Sequence, residues 1–243
     1  MTDIAWYRDM TAAEEAAGVC TDKTGNGHDA TLGGSAEFYN FAARGKVLHF
    51  PINANSSASV NGTFNLNITQ GLSVGAWIYR EDDSPGVVIN REGSFRLWFP
   101  DASGKPCFSV YSGGTWWDAI SSDPLPTQQW VFIQGALGPI DTKIFVHGSV
   151  KGICHPSGLW NDNSTTILIG RRTLFYNMQF AGYIGEIMIR DAVVDLSAHR
   201  VDLKRWIKRN QGEVVELLEL HLPTEVLRFC SRPTFISLQV RPV

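Results

Sequence analysis

The chain reads Asp22-Lys-Thr-Gly-Asn-Gly-His-Asp-Ala-Thr31 near its start and Phe180-Ala-Gly-Tyr-Ile-Gly-Glu-Ile-Met-Ile-Arg-Asp191 near its end. The first stretch predicts a tight polar turn, because its Gly-Asn-Gly centre tolerates positive φ and its aspartates can accept hydrogen bonds from nearby amides. The second alternates like a strand that buries one face. Between them lies a series of short aromatic and β-branched segments, so the pattern predicts an all-β protein.

The clearest strand of this series is Leu72-Ser-Val-Gly-Ala-Trp-Ile-Tyr79. Strand residues alternate between two faces, so Trp77 and Tyr79 share one of them. The other face is apolar throughout and should point into a core: Leu72, Val74, Ala76 and Ile78.

Further elements follow from the same alternation and from the Gly, Pro and Asp residues that separate the segments. A short helix is predicted at 11–17, ended by Gly18. The remaining predicted strands are 4–7, 47–50, 58–60, 87–90, 94–99, 107–111, 116–120 and 130–134. This spacing is typical of a β-sandwich.

Two later stretches, Lys143-Ile-Phe-Val-His-Gly148 and Thr166-Ile-Leu-Ile-Gly170, complete a family resemblance. Together with the turn, the strand at Leu72 and the last strand, they resemble the concanavalin A-like jelly roll of the laminin-G-like type over roughly residues 3–210. His147 departs from the pattern, because an acidic residue is usual there. The resemblance implies a two-sheet antiparallel jelly-roll sandwich, a fold that more often binds than catalyses.

The C-terminal region divides into two parts. Residues 197–210 are predicted to form an amphipathic helix, with Ser197 as N-cap and Trp206 towards the sandwich, and a helix after the last strand is also usual in the family. Residues 211–243 lie outside the resemblance and contain two strand-like runs. We therefore divide the chain into a jelly roll, 1–210, and a C-terminal extension, 211–243, which either packs back on the jelly roll or adds a strand to a neighbouring subunit.

Composition excludes several classes of partner. The net charge is −3 and no run of Lys or Arg is present, so we predict no nucleic-acid partner. The chain shows neither a signal-peptide pattern nor an apolar run of membrane-spanning length, so we expect neither Sec secretion nor membrane insertion. Its widely separated cysteines are predicted to be buried free thiols, with a disulfide left open outside the cytosol: Cys20, Cys107, Cys154 and Cys230.

The sequence predicts a protein that is not an enzyme. Glucanases with this fold carry an E-x-D-x-x-E pattern on one strand face, and that pattern is absent. The tight acidic cluster Glu81-Asp-Asp83 follows a predicted strand and reads as a solvated turn rather than as a carboxylate pair for glycoside hydrolysis. The six histidines form no HExxH or H-x-H group.

A structural calcium ion is the cofactor that the resemblance implies, because many relatives clamp their two ends with one. Asp22 and Asn26 could supply oxygen ligands, and Glu186 is the local carboxylate in the last strand. The family's usual acidic side chain before it is Gly185 here. The alternative, which we favour, is a turn satisfied by its own hydrogen bonds. No other cofactor is predicted.

Aromatic residues are the candidates for binding glycans, since sugar rings stack on such side chains. Because adjacent strand residues point to opposite faces, one of Trp116 and Trp117 should be exposed and the other buried. Core packing or a subunit contact is the competing role for these residues. The glycan-binding candidates are Trp98, Tyr111, Trp116, Trp117 and Trp160.

These observations support three hypotheses of function. The first is a non-enzymatic structural or adhesive subunit of an assembled particle such as a phage virion, either a capsid decoration or a tail-associated protein. It would be made in the host cytoplasm, contact other subunits as an oligomer and bind cell-surface glycans weakly. The alternative is a free carbohydrate-binding lectin, located in the cytoplasm or exported without a signal peptide. A glycoside hydrolase ranks last.

Overall fold

The structure is a computed structural model that describes residues 3–42, 44–52, 55–60, 71–160, 166–172 and 178–193. Within these ranges it contains sixteen strands and one short helix. The elements are β1 (Asp3–Tyr7), α1 (Ala12–Ala17), β2 (Val19–Cys20), β3 (Ala30–Gly33), β4 (Glu37–Phe41), β5 (Gly45–Phe50), β6 (Ser57–Val60), β7 (Leu72–Arg80), β8 (Gly86–Arg91), β9 (Phe95–Phe99), β10 (Cys107–Ser112), β11 (Thr115–Ile120), β12 (Trp130–Leu137), β13 (Thr142–Val146), β14 (Ser149–Cys154), β15 (Ile167–Ile169) and β16 (Gly182–Arg190).

The strands form two sheets in which every strand pair is antiparallel. Sheet A has the order β14-β13-β12-β7-β16-β5-β4, and β1 also pairs with β16. Sheet B has the order β11-β10-β9-β8-β15-β6-β3-β2. Chain neighbours are therefore often distant in a sheet, as in a jelly roll. The predicted all-β, two-sheet sandwich is confirmed.

The core lies between the two sheets, and β7 shows how alternation builds it. The four residues predicted to face inwards are at most 1 % exposed and belong to one continuous core cluster: Leu72, Val74, Ala76 and Ile78. Trp77 belongs to a separate cluster on the outer face of sheet A, with Phe132 and Met188. The sheets approach closely at Gly135, where a Cβ atom would lie 2.0 Å from the ring of Phe108.

The short helix follows its sequence signals closely. Thr11 caps α1 by accepting a hydrogen bond from the amide of Glu14, and the Glu14 carboxylate accepts one from the amide of Thr11. This reciprocal pair satisfies two amides that the first turn leaves open. Gly18 ends the helix in the left-handed conformation, at φ 63°.

Some elements differ from the sequence prediction. The polar turn is shorter than predicted, because Ala30 and Thr31 already pair with β6 as part of β3. Strands β2, β3, β4 and β14 were not predicted. The predicted helix at 197–210, the extension 211–243 and Cys230 lie outside the described residues. No helix within the described residues is long and apolar enough to cross a membrane.

The three described cysteines carry free thiols, two of them buried and one half-buried. Burial raises the pKa of Cys107 to about 12 and that of Cys154 to about 11, and it raises the pKa of Cys20 further still. A thiol with a raised pKa is a poor nucleophile at neutral pH. These side chains therefore act as small apolar groups.

Candidate glycan-binding site

The outer face of sheet B carries a group of aromatic and charged side chains on the three successive strands β9, β10 and β11. Alternation separates this face from the core, which receives the intervening residues. Three of them belong to the core cluster: Leu97, Phe108 and Val110. The outward side chains are Arg96, Trp98, Ser109, Tyr111, Trp116 and Asp118, and we refer to them as the β9–β11 site.

Small residues on the middle strand give this site its shape. Cys107 and Ser109 of β10 lie opposite Trp98 and Arg96 of β9. Ser109 Oγ accepts a hydrogen bond from Trp98 Nε1 at 2.8 Å, so the indole is fixed against the floor of the site. Larger side chains on the two flanking strands rise on either side of this low floor.

Arg96 lies between two of the tryptophans. Its guanidinium carbon is 3.6 Å from the ring centroid of Trp116 and 4.8 Å from that of Trp98. Both distances are within the range of cation–π attraction. Arg96 is 6 % exposed, and its Nε is enclosed without a hydrogen-bond partner among the described residues.

Charged side chains of both signs lie near Arg96, and only some of them form ion pairs. Burial, followed by the nearby Arg172, lowers the pKa of Arg96 to about 10, while Glu92 and Asp118 oppose this shift. Arg172 forms a bidentate pair with Glu92, at 2.9 and 3.0 Å. Burial alone would raise the pKa of Glu92, but the hydrogen bond from Arg172 holds it below its usual value. Asp118 lies opposite Ser109, in the same row of the sheet as Arg96.

Tyr111 and Trp116 form the end of the site near the β10–β11 turn. Their ring centroids are 5.3 Å apart, at an interplanar angle of 59°. The Tyr111 hydroxyl donates a hydrogen bond to the Gly114 carbonyl at 3.0 Å, which holds the phenol against the turn. Gly113 and Gly114 both have positive φ, as this tight turn requires. The two rings remain half-exposed.

The structure separates the other two aromatic candidates from this group. Trp117 packs against the core, and its Nε1 donates to the Ser112 carbonyl at 3.2 Å. Trp160 also packs against the core, and it pairs with Ser112 in an isolated bridge. The predicted candidates Trp98, Tyr111 and Trp116 therefore meet on one outer face. The candidates Trp117 and Trp160 do not lie on that face.

Sequence reasoning missed the polar members of the site. Arg96 stands two residues before Trp98 and Asp118 two residues after Trp116, so the period of two could have placed each beside its tryptophan. The strand order was needed to bring Ser109 between them.

A second aromatic group covers part of the outer face of sheet A, and it too was missed. Its ring centroids are 4.4 to 6.3 Å apart, mostly in tilted or edge-on contacts. The members are Tyr39, Phe41, His49, Tyr79, Trp130 and Tyr183. Arg44 lies over the rings of Trp77 and Trp130, at 4.0 and 4.3 Å. Four of the nine ring pairs are edge-on and four are tilted, and Tyr39 keeps 43 % of its surface exposed.

The residues predicted as calcium ligands are engaged in hydrogen bonds. The Asp22 carboxylate accepts from the amides of Trp6, Thr24 and His28 and from the Thr24 hydroxyl, at 2.7 to 3.3 Å. These donors occupy the oxygens that a cation would need. Asn26 Nδ2 donates to the Ile4 carbonyl at 3.1 Å.

Glu186, the third predicted ligand, accepts a hydrogen bond from Trp6 Nε1 at 2.7 Å. The structure places no group of three or more His, Cys, Asp and Glu side chains in a metal-binding arrangement within its described ranges. Because these side chains are already engaged within the protein, the arrangement does not fit a calcium ion well, and calcium binding stays an untested prediction.

The acidic cluster Glu81-Asp-Asp83 lies in the turn after β7. Asp82 Oδ1 accepts from the Ser84 amide at 2.9 Å, and Asp83 is 3.4 Å from Arg80. Asp82 therefore shapes the turn, and Asp83 balances the charge of Arg80.

Comparison with solved structures shows the same fold in binding domains. The binding domain of Paraclostridial Mosquitocidal Protein 1 has a TM-score of 0.66 and 14% identity, with 85% of this chain and 52% of that one covered. The binding domain of botulinum neurotoxin serotype D has a TM-score of 0.65 and 17% identity, with 86% of this chain and 53% of that one covered. This chain thus spans about half the length of these two toxin domains.

A third similar structure has nearly the same length as the matched region. It is domain 4 of an extracellular arabinanase from Geobacillus stearothermophilus, in complex with arabinotriose. The TM-score is 0.62 and the identity 16%, with 81% of this chain and 96% of that domain covered. At these identities the likeness concerns the fold.

The family assignment comes from the sequence. No curated protein sequence matches this chain significantly. A laminin-G-like family profile matches residues 53–198, which is more than half of the chain. The matched range includes the strands that build the β9–β11 site. The chain therefore belongs to the concanavalin A-like lectin/glucanases superfamily.

Proposed function

We propose that this protein is a non-catalytic carbohydrate-binding module whose glycan lies on the β9–β11 site. The observation that carries the proposal is the meeting of Trp98, Tyr111 and Trp116 on one outward face, around a buried arginine. The three residues lie on successive strands, and the pairing of β9 with β10 and of β10 with β11 sets their positions. The fold itself brings them together.

The chemistry of the site suits a sugar. Half-exposed aromatic rings offer flat apolar surface to the C–H face of a pyranose or furanose, and polar groups beside them can orient the hydroxyls. Asp118 is exposed and can accept hydrogen bonds from hydroxyl groups, whereas Arg96 can only donate. A shallow site of this kind supports binding in the millimolar to micromolar range.

The similar structures support the proposal at the level of fold. The arabinanase domain is described in complex with arabinotriose, and the toxin domains are described as binding domains. A non-catalytic role is also favoured by the acidic cluster at Glu81, which shapes a turn.

The test is calorimetric titration of the full chain with a panel of oligosaccharides. Trp116→Ala should weaken binding about tenfold, because it removes the ring and the arginine's stacking partner. The matched control is Tyr39→Ala, an aromatic 43 % exposed on the other sheet, which should change affinity less than about twofold. Loss of binding in Tyr39→Ala with Trp116→Ala unaffected would place the glycan on sheet A. Absence of binding to every oligosaccharide would refute the proposal.

We also retain assembly into a particle, such as a phage virion, as a more specific proposal compatible with glycan binding. It is supported by the strand-like runs of residues 211–243, which suit pairing with a neighbouring subunit. Density-gradient fractionation of the native source, followed by peptide mass spectrometry, tests it. Banding with particles at a fixed ratio to a shell protein supports a virion subunit. Recovery only among free proteins supports a free lectin.

A further inference from the structure

We propose that the β9–β11 site selects glycans that carry a carboxylate, and that Arg96 is the residue that recognises this group. The inference rests on the proposed function and specifies its ligand class. Its starting point is that Arg96 is 94 % buried in an outward-facing site and yet has no hydrogen bond or ion pair with any residue that the structure describes.

The isolation of Arg96 is unusual for a buried cation. Buried charges are ordinarily paired and hydrogen-bonded, because desolvation penalises an uncompensated charge. The nearby Arg172 follows this rule, since it is bidentate to Glu92. Arg96 instead has the rings of Trp98 and Trp116 beside it, with its guanidinium carbon 4.8 and 3.6 Å from their centroids.

Contact with aromatic rings does not satisfy the N–H donors of a guanidinium. The N–H bonds of the group lie in its plane and need acceptors such as oxygen atoms, which the two rings do not supply. Nε is fully enclosed, but the two terminal nitrogens are not. A planar carboxylate is the acceptor whose geometry best matches two parallel N–H donors.

The neighbouring carboxylates do not fill this role. Glu92 is engaged by Arg172. Asp118 lies across the row beyond Ser109, is exposed, and forms no salt bridge with Arg96 within 4.0 Å. It nevertheless raises the pKa of Arg96, so its charge acts at the site and should repel an acidic ligand modestly.

A neutral sugar is the competing ligand. In that case Arg96 would serve as a spacer that keeps Trp98 and Trp116 apart, and its charge would be irrelevant to binding. The two roles differ in one measurable quantity, the ratio of affinities for an acidic glycan and its neutral counterpart.

The experiment measures this ratio by calorimetric titration of the full chain with matched pairs. The probes are oligogalacturonate and its methyl ester, sialyllactose and lactose, and oligoglucuronate and cello-oligosaccharide. We expect at least one acidic member to bind about tenfold more tightly than its neutral partner. Arg96→Gln should abolish this preference, so that the two members of a pair bind within about twofold of each other. Arg96→Lys should retain part of the preference, because the positive charge remains but the two parallel N–H donors of the guanidinium are lost.

Two further variants keep the result interpretable. Arg8→Gln is the matched control, since Arg8 also lies over a tryptophan ring, 3.9 Å from the centroid of Trp6. Trp6 belongs to β1, which pairs with β16 in the other sheet. Arg8→Gln should leave the preference unchanged. If Arg96→Gln fails to fold, Asp118→Asn supplies the test, because removing the repelling charge should increase affinity for the acidic member about two- to threefold.

The outcomes separate the two proposals. Equal affinity for acidic and neutral members, or a preference that survives in Arg96→Gln, overturns the assignment of Arg96 and leaves glycan binding intact. A preference that Asp118→Asn lowers also overturns it. Absence of binding to all six probes overturns the assignment of Arg96, and absence of binding to the whole oligosaccharide panel overturns both proposals.

Discussion

The indole of Trp6 donates a hydrogen bond to Glu186 at 2.7 Å, which joins a side chain of the first strand to one of the last described strand. The amide of Trp6 donates to Asp22 as well, at 3.0 Å. One residue thus connects the polar turn to β16. Since β1 pairs with β16 along the same stretch, the contact reinforces the ladder.

This contact should be measurable as stability. Trp6→Phe removes the donor and leaves the Glu186 carboxylate without it, so we expect the free energy of unfolding to fall by about 1–3 kcal/mol. Glu186→Gln keeps an acceptor oxygen and should cost less. Urea denaturation of both variants checks this, and two unchanged midpoints would show that the bond contributes nothing.

Glycines in sheet A provide a test of core packing. A Cβ at Gly135 would lie 2.0 to 2.6 Å from the Phe108 ring, so Gly135→Ala should destabilise the protein by about 1–3 kcal/mol or more. Gly185→Ala is the control, because its Cβ would meet neighbours at 3.5 to 3.8 Å, which is ordinary contact. Thermal unfolding should separate the two clearly. Equal melting temperatures would contradict the close approach of the sheets.

Glu14 should make stability depend on pH. Burial alone would raise its pKa, but hydrogen bonds from Lys23, Thr21 and Thr11 outweigh burial and lower it to about 2. A folded pKa below the unfolded value, about 4.3, stabilises the fold above that pH and stops doing so as the pH falls towards 2.

The measurement is the difference in unfolding free energy between the wild type and Glu14→Gln as a function of pH. We expect the variant to be less stable at neutral pH and the difference to shrink between about pH 4 and pH 2. Glu15→Gln, at an exposed ion pair in the same turn, should change stability little throughout. A difference that does not vary with pH would contradict this account.

The described thiols should react in order of exposure. Cys154 is half-buried with a pKa raised to about 11, whereas Cys20 and Cys107 are buried. Alkylation of the native protein at pH 8, followed by peptide mass spectrometry, should label Cys154 before the other two, and all three only slowly. Rapid labelling of Cys107 would show that sheet B opens readily.

The fold could be predicted largely from local patterns. The alternation of β7 assigns its residues to the correct faces, and Thr11, Glu14 and Gly18 mark both ends of α1. Strand β4 was missed because Glu37 and Asn40 interrupt its apolar character, and it forms an edge whose outer side chains are exposed. Edge strands carry weaker sequence signals than buried ones.

The candidate site was only partly predictable. Alternation indicates that Trp116 and Trp117 point in opposite directions, but not which of them faces the core. That choice depends on the register with Tyr111 and Val110 of β10. The position of Arg96 between two rings depends on strand pairing and on the small side chain of Ser109, neither of which is a local property.

The way in which the aromatic rings are fixed has a consequence for how a glycan would be held. Trp98 is anchored by Ser109, Tyr111 by Gly114, and Trp116 by Arg96, so these side chains are preorganised and lose little entropy on binding. The affinity of one copy is then limited by the few side chains that one site offers to a glycan. Tight attachment therefore requires several linked copies of the site, because linkage can raise avidity by about 10²–10⁴ without any new contact. A rigid, weak platform of this kind is best suited to being displayed many times on one surface.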